Sequence, residues 1–215
     1  MQHQSIINLN SIKNEVELRG NKTEIIAVSK TFPLDKIKPL IDYGHIHFGE
    51  NKVQEAVEKW TEQKKINKNI KLHLIGKLQT NKVKYCLPLF DYIHSLDSLK
   101  LAEKISTFQI KEKFKPKIFI QINVGNEVQK NGIQINELDF FINECQKNFD
   151  LDIIGLMCIP PNTGNPKIYF EKMNKLKEQY NFNNLSMGMS SDYLDAISCG
   201  ADFVRIGSKI FGERS

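Results

Sequence analysis

The feature that most constrains this chain is an alternation repeated along its whole length. Short apolar runs rich in β-branched residues are separated by longer stretches of helical period. Runs of that kind read as buried strands, and their regular exchange with helices reads as successive βαβ units. The strand candidates are residues 25–29, 46–49, 71–75, 92–94, 117–124, 152–158, 184–188 and 202–206. Val53, Ala56, Val57 and Trp60 recur at helical spacing between them, as do Ile135, Leu138, Phe141, Ile142 and Cys145, and then Phe170, Met173 and Leu176. These stripes are core-facing helix surfaces. An amphipathic segment around Ile6–Leu18 precedes the first strand as an extra N-terminal helix.

Eight strand-helix units predict a closed (β/α)8 barrel, although an open doubly wound sheet carries the same local pattern. At 215 residues the chain matches one such barrel, so residues 1–215 are expected to form a single domain. No Pro-, Gly- or Ser-rich linker divides it; residues 160–166 form a turn-rich loop after the sixth strand.

Charge and cysteine usage narrow the function classes. The net charge of +5 comes from lysines dispersed among acids, the mark of a solvated surface and not of a basic nucleic-acid track. The N-terminal stretch has no basic region leading into an apolar one, and no run approaches the length of a membrane span. A cytoplasmic protein without nucleic-acid or membrane partners is expected. Cys86, Cys145, Cys158 and Cys199 are irregularly spaced, which suggests reduced thiols and neither a disulfide framework nor a zinc site.

Three places could carry chemistry. Lys30 ends the run 25–31 at the C-terminal edge of the first strand, where partial desolvation and nearby cations would make its amine a nucleophile toward aldehydes; alone, it could equally be a solvated charge. Val204-Arg205-Ile206-Gly207-Ser208 ends the eighth strand, and the N–H groups of Gly207 and Ser208 could face a phosphate from a short helix running through Phe211. The seventh strand leads into Met189-Ser190-Ser191-Asp192, where Ser190 or Ser191 is expected to cap a helix and could also bind phosphate. Arg19, Arg205 and Arg214 are the only arginines. One inside an apolar strand needs an acceptor, because it cannot shed its proton; a salt bridge to a neighbouring acid is the plain alternative. His45 and His47 are read as sharing one face of a strand, with His73 and His94 on the next two, so a metal site competes. No HExxH, Walker A or GxGxxG sequence supports a metalloprotease or nucleotide fold.

AVSKT at 27–31, FGENKVQE at 48–55, HLIGKLQTNK at 73–82, GLMCIPP at 155–161, LSMGMSSDYLDAI at 185–197 and VRIGSKIFGER at 204–214 together resemble the pyridoxal phosphate homeostasis protein family. The resemblance implies a barrel similar to the N-terminal domain of alanine racemase, a fold-type III protein of pyridoxal 5'-phosphate (PLP). It implies that Lys30 holds PLP as an imine, a Schiff base, that Ser190, Gly207 and Ser208 bind phosphate, and that Arg205 faces the pyridine nitrogen. Asn51, His73 and Met189 fall in blocks near the cofactor. Lys130, in the loop after the fifth strand, resembles a further lysine that handles vitamin B6 forms. Lys77 departs from the pattern, standing where a proline is common. The function so implied is PLP (vitamin B6) homeostasis, holding PLP and delivering it to apo PLP-enzymes, with other B6 vitamers as further partners. No residue is assigned a catalytic role on this reading, and no metal is implied. A PLP-dependent amino-acid racemase is the alternative. The chain ends after its eighth unit, without the racemase's second domain and its usual reason to dimerise, so a monomer is expected.

Overall fold

The computed structural model describes residues 2–20 and 22–213; Arg214, in the last motif, lies outside them. The strands are β1 (Glu24–Val28), β2 (His47–Glu50), β3 (Lys71–Leu74), β4 (Tyr92–Leu96), β5 (Lys117–Ile122), β6 (Asp152–Cys158), β7 (Asn184–Met189) and β8 (Phe203–Ile206). The helices are α1 (Gln4–Glu17), α2 (Leu34–Asp42), α3 (Val53–Ile66), α4 (Val83–Cys86), α5 (Leu99–Glu112), α6 (Leu138–Asn148), α7 (Pro166–Gln179), α8 (Tyr193–Ser198) and α9 (Ser208–Phe211). One helix follows every strand, and α1 stands before the first.

The sheet is closed. Every neighbouring pair is parallel, and β1 returns to β8 with Glu24 opposite Phe203, Ile25 opposite Val204 and Ile26 opposite Arg205. Closure settles the choice between barrel and open sheet in favour of the (β/α)8 barrel. Expected and observed strands agree to within about two residues. The one internal misreading of a strand is His45, which precedes β2 and donates from Nε2 to the His47 carbonyl, 2.9 Å away. Pro166, read as loop, is instead the first residue of α7, behind an Asn165 cap; a proline loses nothing there, since that N–H has no helical partner.

Two apolar layers follow from the pleat. Residues on the outer face of the strands pack under the helices, with Trp60, Phe48, Phe170 and Leu40 fully buried. Residues on the inner face, including Ile26, Tyr92, Phe119, Met157 and Phe203, fill the lumen. Helix α1 buries Leu9, Ile12 and Val16 and is tied to α9 by Asn8, whose amide donates to the Ile210 carbonyl at 3.0 Å. No helix among the described residues is long and apolar enough to cross a membrane.

Candidate functional site

A cavity of about 610 Å³ opens at the C-terminal end of the barrel, the face where loops, not packed strands, shape the surface. Lys30, Asn51, Met189, Ser190, Arg205, Gly207 and Ser208 all line it, joined by Val28, Ile75, Gly76, Lys77, Gln121, Asn131, Ile159, Ser191 and Glu213. Three cationic side chains, Lys30, Lys77 and Arg205, stand against the one carboxylate of Glu213. The lining therefore favours an anion.

Lys30 sits on a turn that the sequence alone did not explain. Thr31 adopts φ +67°, a region that costs a β-branched residue about 1–2 kcal/mol, so neighbouring groups must hold it. The Thr31 N–H donates to Glu55 Oε1 at 2.6 Å. Lys59 Nζ donates to the Ser29 carbonyl at 3.0 Å, to Glu50 Oε1 at 3.0 Å and to Glu55 Oε1 at 3.1 Å. Fully buried Glu50 also accepts from Ser29 Oγ at 2.7 Å and Trp60 Nε1 at 2.9 Å. Both carboxylates belong to the FGENKVQE segment, and their signal was a charge, Glu50, inside an otherwise closed strand. The backbone on both sides of Lys30 is thus clamped to β2 and α3.

Asn51 reaches the cavity because Gly76 lets the β3 loop pass over it: a Cβ at Gly76 would lie 2.4 Å from the Asn51 carbonyl oxygen. Beside it Lys77 donates to Asn131 Oδ1 at 2.7 Å. Lys77 thus brings a positive charge to the rim and a tie to the β5 loop.

The loops after β7 and β8 meet directly, with the Gly207 N–H donating to Ser190 Oγ at 3.3 Å. Neither Ser190 nor Ser191 caps α8. Asp192 occupies that position, and its carboxylate instead accepts the Met189 N–H at 2.6 Å. The reason is the reach of this carboxylate back across its own turn, which leaves Ser190 turned toward β8 and the cavity.

Arg205 is 4% exposed, and its acceptors are neutral: Nη1 donates to Ser186 Oγ and Nη2 to the Cys158 carbonyl, both at 2.8 Å. Burial lowers its pKa, yet a guanidinium begins so high that it remains charged. The same burial pushes the Cys158 thiol up to about 12, so this cysteine is not a nucleophile.

Two candidate residues lie outside the lining. His73 is fully buried below the cavity, with Nε2 2.8 Å from His47 Nδ1 and Nδ1 2.9 Å from His94 Nε2. Lys130 belongs to the β5 loop, where it donates to the Pro160 carbonyl at 3.0 Å and pairs with Glu127 at 2.6 Å. The histidines form a hydrogen-bonded line, and among the described residues no group of three or more His, Cys, Asp or Glu converges as a metal shell would.

The family model described as "Alanine racemase, N-terminal domain" matches residues 6–215. A relative named pyridoxal phosphate homeostasis protein, from Aquifex aeolicus, is 37% identical over 203 residues, covering 90% of this chain and 88% of the relative. PipY of Synechococcus elongatus, in a structure described as having PLP bound, superposes with a TM-score of 0.87 at 31% identity, covering 97% of this chain and all of that one. Alanine racemase of Clostridium difficile shares the fold alone, at a TM-score of 0.76 and 18% identity, with 57% of its chain covered. A family match over residues 6–215 and 37% identity over 90% of the chain, on the same closed barrel, place this chain in the pyridoxal phosphate homeostasis protein family, within the alanine racemase N-terminal-domain fold.

Proposed function

We propose that this protein binds PLP in the cavity at the C-terminal mouth and acts in PLP homeostasis, with Lys30 as the point of covalent attachment. The observation that carries the reading is the convergence of one clamped lysine, a buried arginine and two loop ends on a single cationic cavity. Its volume lies within the range usual for small-molecule sites. Its charge balance suits a phosphate monoester. PLP supplies an aldehyde that an amine can capture reversibly and a pyridine ring that can accept electrons.

The chain's own residues divide the work. Lys30 presents its amine from the clamped turn. Ser190, Gly207 and Ser208 surround the place where the β7 and β8 loops meet and are assigned to the phosphate, with Asn51 and Met189 beside them. Arg205 is assigned to the ring nitrogen: a guanidinium donates a hydrogen bond there and disfavours protonation, which weakens the ring as an electron sink and suits holding over turnover. Lys130, tied to Pro160 and Glu127, is assigned to B6 forms arriving over the β5 loop. The protein is proposed to be monomeric and cytoplasmic and to release PLP to apo-enzymes.

The test is the visible spectrum of the purified protein with added PLP, before and after borohydride, followed by mapping of the reduced adduct. A band that borohydride removes, with the adduct on Lys30, supports the reading. A protein that stays colourless removes it. Transfer of PLP to an apo-enzyme should disappear in Lys30→Ala; equal transfer by mutant and wild type would make the lysine irrelevant to delivery.

A further inference from the structure

Below the cavity an unbroken polar line crosses the apolar lumen. From Arg205 Nη1 it runs to Ser186 Oγ at 2.8 Å, from Ser186 to His94 Nδ1 at 2.9 Å, from His94 Nε2 to His73 Nδ1 at 2.9 Å, and from His73 Nε2 to His47 Nδ1 at 2.8 Å. It ends at the opposite mouth, where His47 Nε2 lies 3.7 Å from the carboxylate of Glu24. Ser186, His94 and His73 are fully buried, and the rings are wedged among Tyr92, Phe119 and Phe203.

A neutral imidazole has one N–H and one lone pair, and burial keeps these rings neutral by lowering their pKa values. Three such rings in series have only two self-consistent settings. In one, every N–H points toward Glu24 and every lone pair toward Arg205. In the other, the lone pair of His47 faces a carboxylate, and Ser186 Oγ must accept from both Arg205 and His94. The charges at the two ends choose the first setting, because it aligns each ring dipole with the cation above and the anion below.

We infer that Ser186, His94, His73 and His47 form a one-way hydrogen-bond chain, every ring in its Nε2–H form, that positions Arg205 at the mouth of the barrel. With its single proton committed to His94, Ser186 presents Oγ to the guanidinium purely as an acceptor. The Cys158 carbonyl holds the other nitrogen, so the guanidinium of Arg205, which lines the cavity, is held against rotation from two sides. The consequence for PLP rests on the proposed function; the chain itself does not. His94 and Ser186 are positioning residues, acting through Arg205.

Nitrogen-15 NMR of histidine- and arginine-labelled, cofactor-free protein near pH 7.5 tests both parts. The expected result is Nε2 protonated and Nδ1 bare in all three rings, with slow rotation of the Arg205 guanidinium. An Nδ1–H form or an imidazolium at His73 or His94 overturns the chain. In His94→Phe, which leaves the Ser186 proton without its acceptor, guanidinium rotation should quicken and PLP retention weaken about tenfold, with a displaced visible band. His94→Gln, which keeps one acceptor and one donor, should restore slow rotation and the band. Ser186→Ala serves as the smaller change if His94→Phe fails to fold. Unchanged rotation in His94→Phe or Ser186→Ala overturns the positioning role even if the chain is present. Failure of the wild type to take up PLP, with the ring forms and rotation as expected, would count against the functional reading and leave this inference standing.

Discussion

The same eight strands build two unlike halves of one lumen. In the lower half, inward positions carry Tyr92, Phe119, Phe203, His47 and His73, whose rings meet at centroid distances from 4.2 Å for His73 on Tyr92 to 6.3 Å for His47 on Tyr92. That half is full. In the upper half the lining includes small residues, Gly76, Gly207 and three serines, and a cavity of about 610 Å³ remains. The site is therefore made partly by leaving side-chain volume out and partly by placing charge there. Packing carries stability in one half, and chemistry is confined to the other.

If that division is right, mutations in the two halves should have crossed effects. Lys30→Ala should abolish the borohydride-fixed PLP adduct, read by mass spectrometry, while shifting denaturant unfolding by less than about 1 kcal/mol. Phe119→Ala, which removes a fully buried ring stacked on His94 at 4.4 Å, should cost about 3–5 kcal/mol in the same unfolding experiment and leave the adduct on Lys30. A PLP band lost in Phe119→Ala protein that is still folded would break the comparison.

Lys59→Met is the sharper case, because Lys59 belongs to both stability and chemistry. It strips the cation from Glu50 and Glu55 and frees the Ser29 carbonyl. Leaving a buried carboxylate unpaired costs about 3–5 kcal/mol, and adduct formation at Lys30 should slow as its turn loosens. Stopped-flow absorbance with PLP would read the second effect. An unchanged rate would mean that the turn holds itself.

Acid should act on the lower half and the mouth below it. Burial, aided by Lys13, lowers His45 to about 4, and His73 and His94 lie well below their usual value. Above pH 6.5 these rings are neutral in both folded and unfolded chains, so their contribution is fully present. As pH falls from 6.5 toward 4 the unfolded chain takes up protons that the fold refuses, and stability declines. His45 alone accounts for about 3 kcal/mol over that interval. Melting temperatures that stay flat from pH 7 to 4.5 would contradict the buried placement. The smallest effect belongs to the rim: Lys77→Ala should change stability by less than about 0.5 kcal/mol, with a modest, salt-sensitive loss of affinity for PLP.

Much of the mouth was legible in the sequence, because its residues follow strands and strand ends are marked locally. Lys30 after one β-branched run, and Arg205-Gly207-Ser208 after another, are visible as single segments. The clamp on Lys30 was not, since Ser29, Glu50 and Lys59 come together only when β2 lies beside β1 and α3 folds over both. The role of Asp192 was misassigned to its serine neighbours because N-cap preference describes a typical helix start and not the tighter turn that forms here.

The sequence by itself determined the order of strands and helices, the extra first helix and the residues at each strand end, because hydrophobic period and turn chemistry are local properties. Only the tertiary structure decided that β8 closes on β1, that His73 points below the cavity and not into it, and that Ser186 joins a histidine line to Arg205. In a parallel barrel both faces of every strand are buried, so strands read as nearly continuous apolar runs and the pattern does not say which residues face the lumen. Partners there stand as far apart in sequence as His94 and Ser186, 92 residues, and the register of the closed sheet is what brings them within a hydrogen bond.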